Sequence, residues 1–73
     1  MTSAFITGIS GFIGKHLTTY LYKLNWRVSG SDLQSAADIP EFYQGDINNH
    51  AMLRQAFQET RPDVIFHLAG VIK

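Results

Sequence analysis

Thr7-Gly8-Ile9-Ser10-Gly11-Phe12-Ile13-Gly14 decides the reading of this 73-residue chain. Three glycines recur at intervals of three, between a short apolar run and a segment of helical periodicity. The run Ala4-Phe5-Ile6-Thr7 reads as a buried parallel strand, because parallel strands are apolar on both faces. Beyond the glycines, Ile13, Leu17, Tyr20, Leu21 and Leu24 fall at i, i+4, i+7, i+8 and i+11, one apolar helical stripe that Asn25 stops. In a strand–turn–helix unit each glycine has a task. Gly8 turns the chain sharply out of the strand, Gly11 leaves room for a pyrophosphate, and Gly14 lets the helix lie close to the sheet. Free amides and the helix dipole favour negative phosphates at that point, and Ser10, Phe12 and Ile13 belong to the same candidate turn. A tight turn with close packing would use the same glycines, so the rest of the chain has to decide.

Downstream, Trp26-Arg27-Val28-Ser29-Gly30-Ser31 carries a second strand to Asp32, 18 residues after Gly14. A carboxylate there can accept hydrogen bonds from an adenosine ribose and repel a 2′-phosphate. The next residues, Leu33, Gln34 and Ser35, include no arginine to hold one, which favours NAD over NADP. Alone, Asp32 would read as a solvated strand end; behind the glycine turn it reads as a cofactor contact, with Leu33 beside it.

Residues 33–41 are polar, carry Pro40 and read as a loop with at most one short helical turn. Phe42-Tyr43-Gln44 is a short third strand closed by Gly45. Asn48 or Asn49 can cap the following helix, whose apolar face is Leu53, Ala56 and Phe57 with Met52 beside it. Arg61-Pro62-Asp63 ends that helix, since proline disfavours helix in the residue before it. Val64-Ile65-Phe66-His67-Leu68-Ala69 is the fourth strand.

This alternation predicts an α/β fold, a partial Rossmann (doubly wound) parallel sheet with helices on both faces. Right-handed crossovers then give the strand order 3-2-1-4. Winding reverses between strands one and four, and ligands bind at such a switch, outside the carboxyl ends of the strands. Gly8 and Ala69 stand at those two ends.

Several functions are disfavoured. Six basic and six acidic side chains cancel, so there is no electrostatic footprint for nucleic acid or an anionic membrane. No apolar run approaches the ~20 residues of a membrane span, and the start lacks a signal peptide's pattern. Cysteine is absent, which fits a reducing, cytoplasmic setting. Gly14-Lys15 suggests a nucleoside-triphosphate loop, but Ile9 and His16 occupy the positions where that loop needs a glycine and a hydroxyl. Lys15 and His16 then read as surface residues, and Trp26 with the phenylalanines and tyrosines as core. No metal site and no catalytic residue is expected in the chain.

The three landmarks together resemble the extended short-chain dehydrogenase/reductases, the NAD-dependent nucleotide-sugar epimerase/dehydratase group. Thr7-Gly8-x-x-Gly11-x-x-Gly14 is similar to that family's fingerprint, Gly45-Asp46-Ile47 to its motif after the third strand, and His67-Leu68-Ala69-Gly70 to its motif ending the fourth. The resemblance implies that Asp46 accepts from the adenine amino group and that Ile47 packs on the ring. It implies that the backbone of Leu68, Ala69 and Gly70 lies along the nicotinamide half, and that His67 is structural. Asp46 as a simple helix cap is the competing reading.

The family's chemistry uses a serine or threonine, a tyrosine, and a lysine four residues later. No Tyr-x-x-x-Lys occurs in these 73 residues; Tyr20 and Lys23 are three apart on the first helix. The chain is therefore expected to be the amino-terminal part of an NAD-binding domain, with catalytic and substrate-binding regions lying elsewhere in a parent enzyme. As a truncation, a proteolytic remnant or a half-domain, it would leave strand four as an apolar edge, which predicts self-association or an attached partner chain through residues 64–69. A non-catalytic adenine-dinucleotide-binding module and a ligand-free fragment are the alternatives.

Overall fold

Ser3–Thr7 forms β1, Phe12–Lys23 α1, Arg27–Asp32 β2, Phe42–Gln44 β3, His50–Thr60 α2 and Val64–His67 β4. This computed structural model describes residues 1–35 and 38–69. The four strands make one parallel sheet in the order β3-β2-β1-β4. The order, the parallel pairing and the element sequence are those expected from the alternation of apolar runs and helical periodicity.

β1 is the centre of the sheet, and all five of its residues are buried. Successive side chains of a strand point to opposite faces, and β1 divides its residues between the two helices. Ala4 and Ile6 pack with Val28 of β2, Leu21 of α1 and Ile9 of the connecting turn. Phe5 points the other way and meets Phe57 of α2 edge-to-face, with ring centroids 5.0 Å apart. One helix thus covers each face. Burying an apolar side chain the size of Phe5 contributes about 1.5–3 kcal/mol, so these two clusters hold the layers together.

α1 has no side-chain cap at its start; Gly11 occupies the N-cap position. It ends through Asn25, whose φ of 64° is the left-handed conformation that asparagine tolerates. α2 is capped by Asn49, which accepts from the Met52 amide at 3.1 Å. Arg61, with φ 46°, ends α2 by donating its amide to the Phe57 carbonyl. Asp46 does not cap α2: its Oδ1 accepts from the Asn48 amide at 2.9 Å, in a turn that precedes the helix.

Two expectations need correction. The apolar stripe of α1 does not lie flat on the sheet. Gly14, Thr18 and Leu21 face inward, whereas Ile13, Tyr20 and Leu24 are 45%, 59% and 47% exposed. The cause is Gly14. A Cβ there would stand 2.5 Å from the Ile9 carbonyl oxygen, so the helix approaches the sheet along its Gly14–Thr18–Leu21 row, with Leu17 packed beside it, and Ile13, Tyr20 and Leu24 lie off the core. Nor is every aromatic core: Phe12 is 77% exposed and stacks edge-on against His16. The described part of residues 33–41 contains bends and turns and no helical turn.

Candidate functional site

The carboxyl ends of all four strands open onto one cavity of about 420 Å³. That lies within the ~300–1,000 Å³ typical of small-molecule sites. Gly8 and Gly11 supply its floor from the β1–α1 turn, Ser31, Asp32 and Leu33 one wall from β2, and residues 45–48 another from the β3–α2 turn. Leu68 and Ala69, just after β4, close the fourth side.

Backbone bonds shape the β1–α1 turn. The Gly8 and Ile9 amides both donate to the Ser31 carbonyl, at 2.8 and 3.1 Å, and the Ser10 amide donates to Asp32 Oδ2 at 2.9 Å. Gly8 has φ 73°, a conformation that side chains resist. Gly11 is different. Its φ of −74° suits any residue, and a Cβ added there would meet only the Gly8 carbonyl oxygen, at an ordinary 3.5 Å. Nothing within the described chain requires a glycine at position 11. What its missing side chain does is leave the start of α1 open to the cavity. There the first-turn amides lack intrahelical partners and the dipole is positive. That is the environment an anionic phosphate needs.

Asp32 is half-buried at the tip of β2, its carboxylate engaged by the Ser10 amide and, at 3.3 Å, by the Gln34 amide. Its backbone carbonyl accepts from Gly45 at 2.9 Å. Next to it the Ser31 hydroxyl is buried with no hydrogen-bond partner among the described residues. On the β4 side, the Ala69 amide donates to Thr7 Oγ1 at 3.3 Å, and Thr7 Oγ1 lies 2.9 Å from His67 Nδ1. A hydroxyl has one hydrogen and two lone pairs. Accepting from Ala69, it is free to donate to an unprotonated Nδ1, which ties the two strand ends together. His67 is therefore engaged in holding β4 to β1.

The sequence profile of the NAD dependent epimerase/dehydratase family matches residues 4–73. The chain belongs to that family. It is 34% identical to the UDP-glucose 4-epimerase of Neisseria meningitidis serogroup A over an alignment covering 97% of the chain and 25% of the relative. It is 30% identical to the CDP-glucose 4,6-dehydratase of Salmonella typhimurium, covering 90% of the chain and 21% of that enzyme. Its fold superposes on the crystal structure of Thermus thermophilus UDP-glucose 4-epimerase in complex with NAD with a TM-score of 0.82 and 27% identity, over 93% of the chain and 24% of that structure. The chain spans about a quarter of the length of the curated relatives it matches.

Of the residues singled out from the sequence, Gly8, Gly11, Asp32, Leu33, Asp46, Ile47, Leu68 and Ala69 come together around one cleft at the β1/β4 switch. Ser10, Phe12, Ile13 and Gly14 do not line it. Ser10 borders a second hollow of about 410 Å³ between α1 and residues 38–39, with Lys15, Thr18, Tyr22 and Asp38. Phe12 and Ile13 point outward, and Gly14 is buried under the turn. Gly70 lies outside the described residues. Sequence reasoning missed Ser31, Gly45 and Asn48 as lining residues. The signal for all three was adjacency: each flanks an aspartate or isoleucine already singled out. Among the described residues no cluster of His, Cys, Asp or Glu is placed to hold a metal, and no helix is long and apolar enough to cross a membrane.

Proposed function

We propose that this chain forms the amino-terminal, dinucleotide-binding part of an NAD-dependent epimerase, dehydratase or reductase that acts on a nucleotide-activated sugar. The observation that carries the reading is convergence. Eight residues from four separate segments meet around one cleft, above a helix start that Gly11 leaves open. In this reading the first turn of α1 takes the diphosphate and Asp32 accepts from the adenosine ribose. Asp46 accepts from the adenine amino group, Ile47 packs on the ring, and Leu68, Ala69 and Gly70 follow the nicotinamide half. When bound, the nicotinamide exchanges hydride with substrate, the chemistry for which this cofactor is used. The chain's part is to bind, orient and exclude water; the groups that move protons lie outside these 73 residues. The nucleotide-sugar assignment is supported by the relatives, an epimerase of UDP-glucose and a dehydratase of CDP-glucose.

NAD is preferred to NADP in this reading. Asp32 lines the cleft, and Arg27, at the opposite end of β2, is paired through Nε and Nη2 with Glu41. We place the protein in the cytoplasm, where a chain with no cysteine needs no disulfide. Nucleic acid and membrane are not its partners. β4 pairs only with β1 among the described residues, and Ile65 on it is 50% exposed. Through that edge the 73-residue chain self-associates or takes a partner chain, and a strictly monomeric sedimentation profile at high concentration would contradict this.

Calorimetric titration with NAD, NADP and ADP-ribose tests the site. NAD and ADP-ribose should bind, and NADP about tenfold or more weakly, a difference of about 1.4 kcal/mol. Equal affinities for NAD and NADP would remove the proposed preference, and no heat from any of the three would remove the site.

A further inference from the structure

Asp32 joins three walls of the cleft. Its Oδ2 accepts the Ser10 amide of the β1–α1 turn at 2.9 Å, its Oδ1 the Gln34 amide at 3.3 Å, and its carbonyl the Gly45 amide of the β3–α2 turn at 2.9 Å. With the Gly8 and Ile9 amides on Ser31, three successive amides of the glycine turn are directed at the end of β2. Of these three turn amides that of Ser10 alone donates to a charged side chain, and charge-assisted bonds are about twice as strong as neutral ones. It is also the last of the three before Gly11, where the chain bends back and the Gly11 amide donates to the Gly8 carbonyl at 3.2 Å.

We propose that Asp32 is a positioning residue for the phosphate-binding turn in addition to accepting from a ribose. Its carboxylate fixes the 9–10 peptide and thereby the direction in which α1 begins. A carboxylate offers about four lone-pair sites; two amides use two of them, so ribose hydroxyls can bind without releasing the turn. The inference rests on the dinucleotide reading of the cleft but makes a claim of its own: the residue that selects the ribose also builds the phosphate site. Replacing it to admit a 2′-phosphate therefore weakens the grip on the phosphates of either dinucleotide.

The test compares Asp32→Ala with Asp32→Asn in the full chain. Both remove the charge; asparagine keeps one acceptor oxygen for the Ser10 amide and alanine keeps none, so exchange at Ser10 itself reads the loss of its acceptor. Inorganic pyrophosphate, which has no ribose, is the probe ligand, and amide hydrogen exchange at Ser10 is the second readout. Ser10 should exchange about tenfold or more faster in the alanine chain than in the asparagine chain, the size expected for losing a bond of this kind. Pyrophosphate should bind the alanine chain several-fold more weakly. Equal exchange and equal pyrophosphate affinity in the two variants would overturn the proposal. If the alanine chain fails to fold, the unaltered chain decides: a scalar coupling from the Ser10 amide nitrogen to the Asp32 carboxylate carbon supports the clamp, and its absence overturns it. A chain that shows the Ser10 effect but ignores NAD would keep the clamp and remove the dinucleotide reading. One that binds NAD without the Ser10 effect would do the reverse.

Discussion

Gly8 sits so close to the chain after β4 that a Cβ built on it would stand 2.9 Å from the Ala69 nitrogen and 3.1 Å from the Ala69 Cα. β1 and β4 are the two strands between which the winding of the sheet reverses, and this contact brings their ends together at the floor of the cleft. Gly8→Ala would add a steric clash to a backbone already at φ 73°. The positive φ costs about 1–2 kcal/mol and the overpacking about 1–3. Urea denaturation should therefore show a loss of roughly 2–5 kcal/mol, a large part of the stability of a domain this small.

Gly14 and Gly11 should separate stability from binding. A Cβ at Gly14 would stand 2.5 Å from the Ile9 carbonyl oxygen and 2.8 Å from that of Gly8, so Gly14→Ala should cost about 1–3 kcal/mol in denaturation. At Gly11 the nearest atom is 3.5 Å away. Gly11→Ala should change stability by less than about 1 kcal/mol, since it exchanges only one uncapped N-cap residue for another. Its NAD affinity should nevertheless fall about tenfold or more, because the methyl group would occupy the phosphate's space. Unchanged affinity for Gly11→Ala would contradict the proposed use of that position.

Much of this was readable before the structure. The order β3-β2-β1-β4 followed from four apolar runs, two helical periods and the handedness of crossovers, and the cleft followed from where the winding reverses. The face that α1 presents was not readable. Ile13, Leu17, Tyr20, Leu21 and Leu24 satisfy the apolar period, yet Gly14 and Thr18 take the inward positions beside Leu21. Periodicity measures hydrophobicity and is blind to how closely a glycine lets two backbones approach. The Ser10–Asp32 bond was equally hidden, since it joins residues 22 apart through one amide that any residue type could supply.

Phe57 ties α2 to the sheet beside the buried Ala56 and Thr60. Its ring meets Phe5, which is fully buried, edge-to-face at 5.0 Å. Full truncation of a buried phenylalanine costs about 3–5 kcal/mol. Phe57 is half-buried, so Phe57→Ala should cost roughly 2 kcal/mol, seen as a lower thermal midpoint with α1-face contacts unchanged.

The Tyr43 phenol adds one alkaline-sensitive contribution to stability. Its hydroxyl donates to Glu59, and that bond, with burial second, pushes the phenol up from 10.0 to about 12. A group whose pKa is raised on folding contributes stability that is complete below the unfolded value and lost as pH rises through the folded one. The Tyr43 contribution should thus be intact below pH 10 and disappear toward about pH 12. Glu59 is held below its usual range, by Tyr43 first and the Gln55 amide second. Its contribution is present above the unfolded carboxylate value and lost as pH falls through the lowered one. Tyr43→Phe should flatten the alkaline slope in a pH series of melting curves; an unchanged slope would assign it to another group.

The most direct test of the account is a titration of the isotope-labelled chain with NAD, followed through its backbone amide resonances. Shifts should cluster at Gly8, Gly11, Asp32, Asp46 and Ala69, five residues from the four segments that line the cleft. Resonances on the outer face of α1, such as Tyr20 and Lys23, should stay still. A dispersed spectrum that ignores NAD, or shifts confined to that outer face, would contradict the claim that this cleft is a cofactor site.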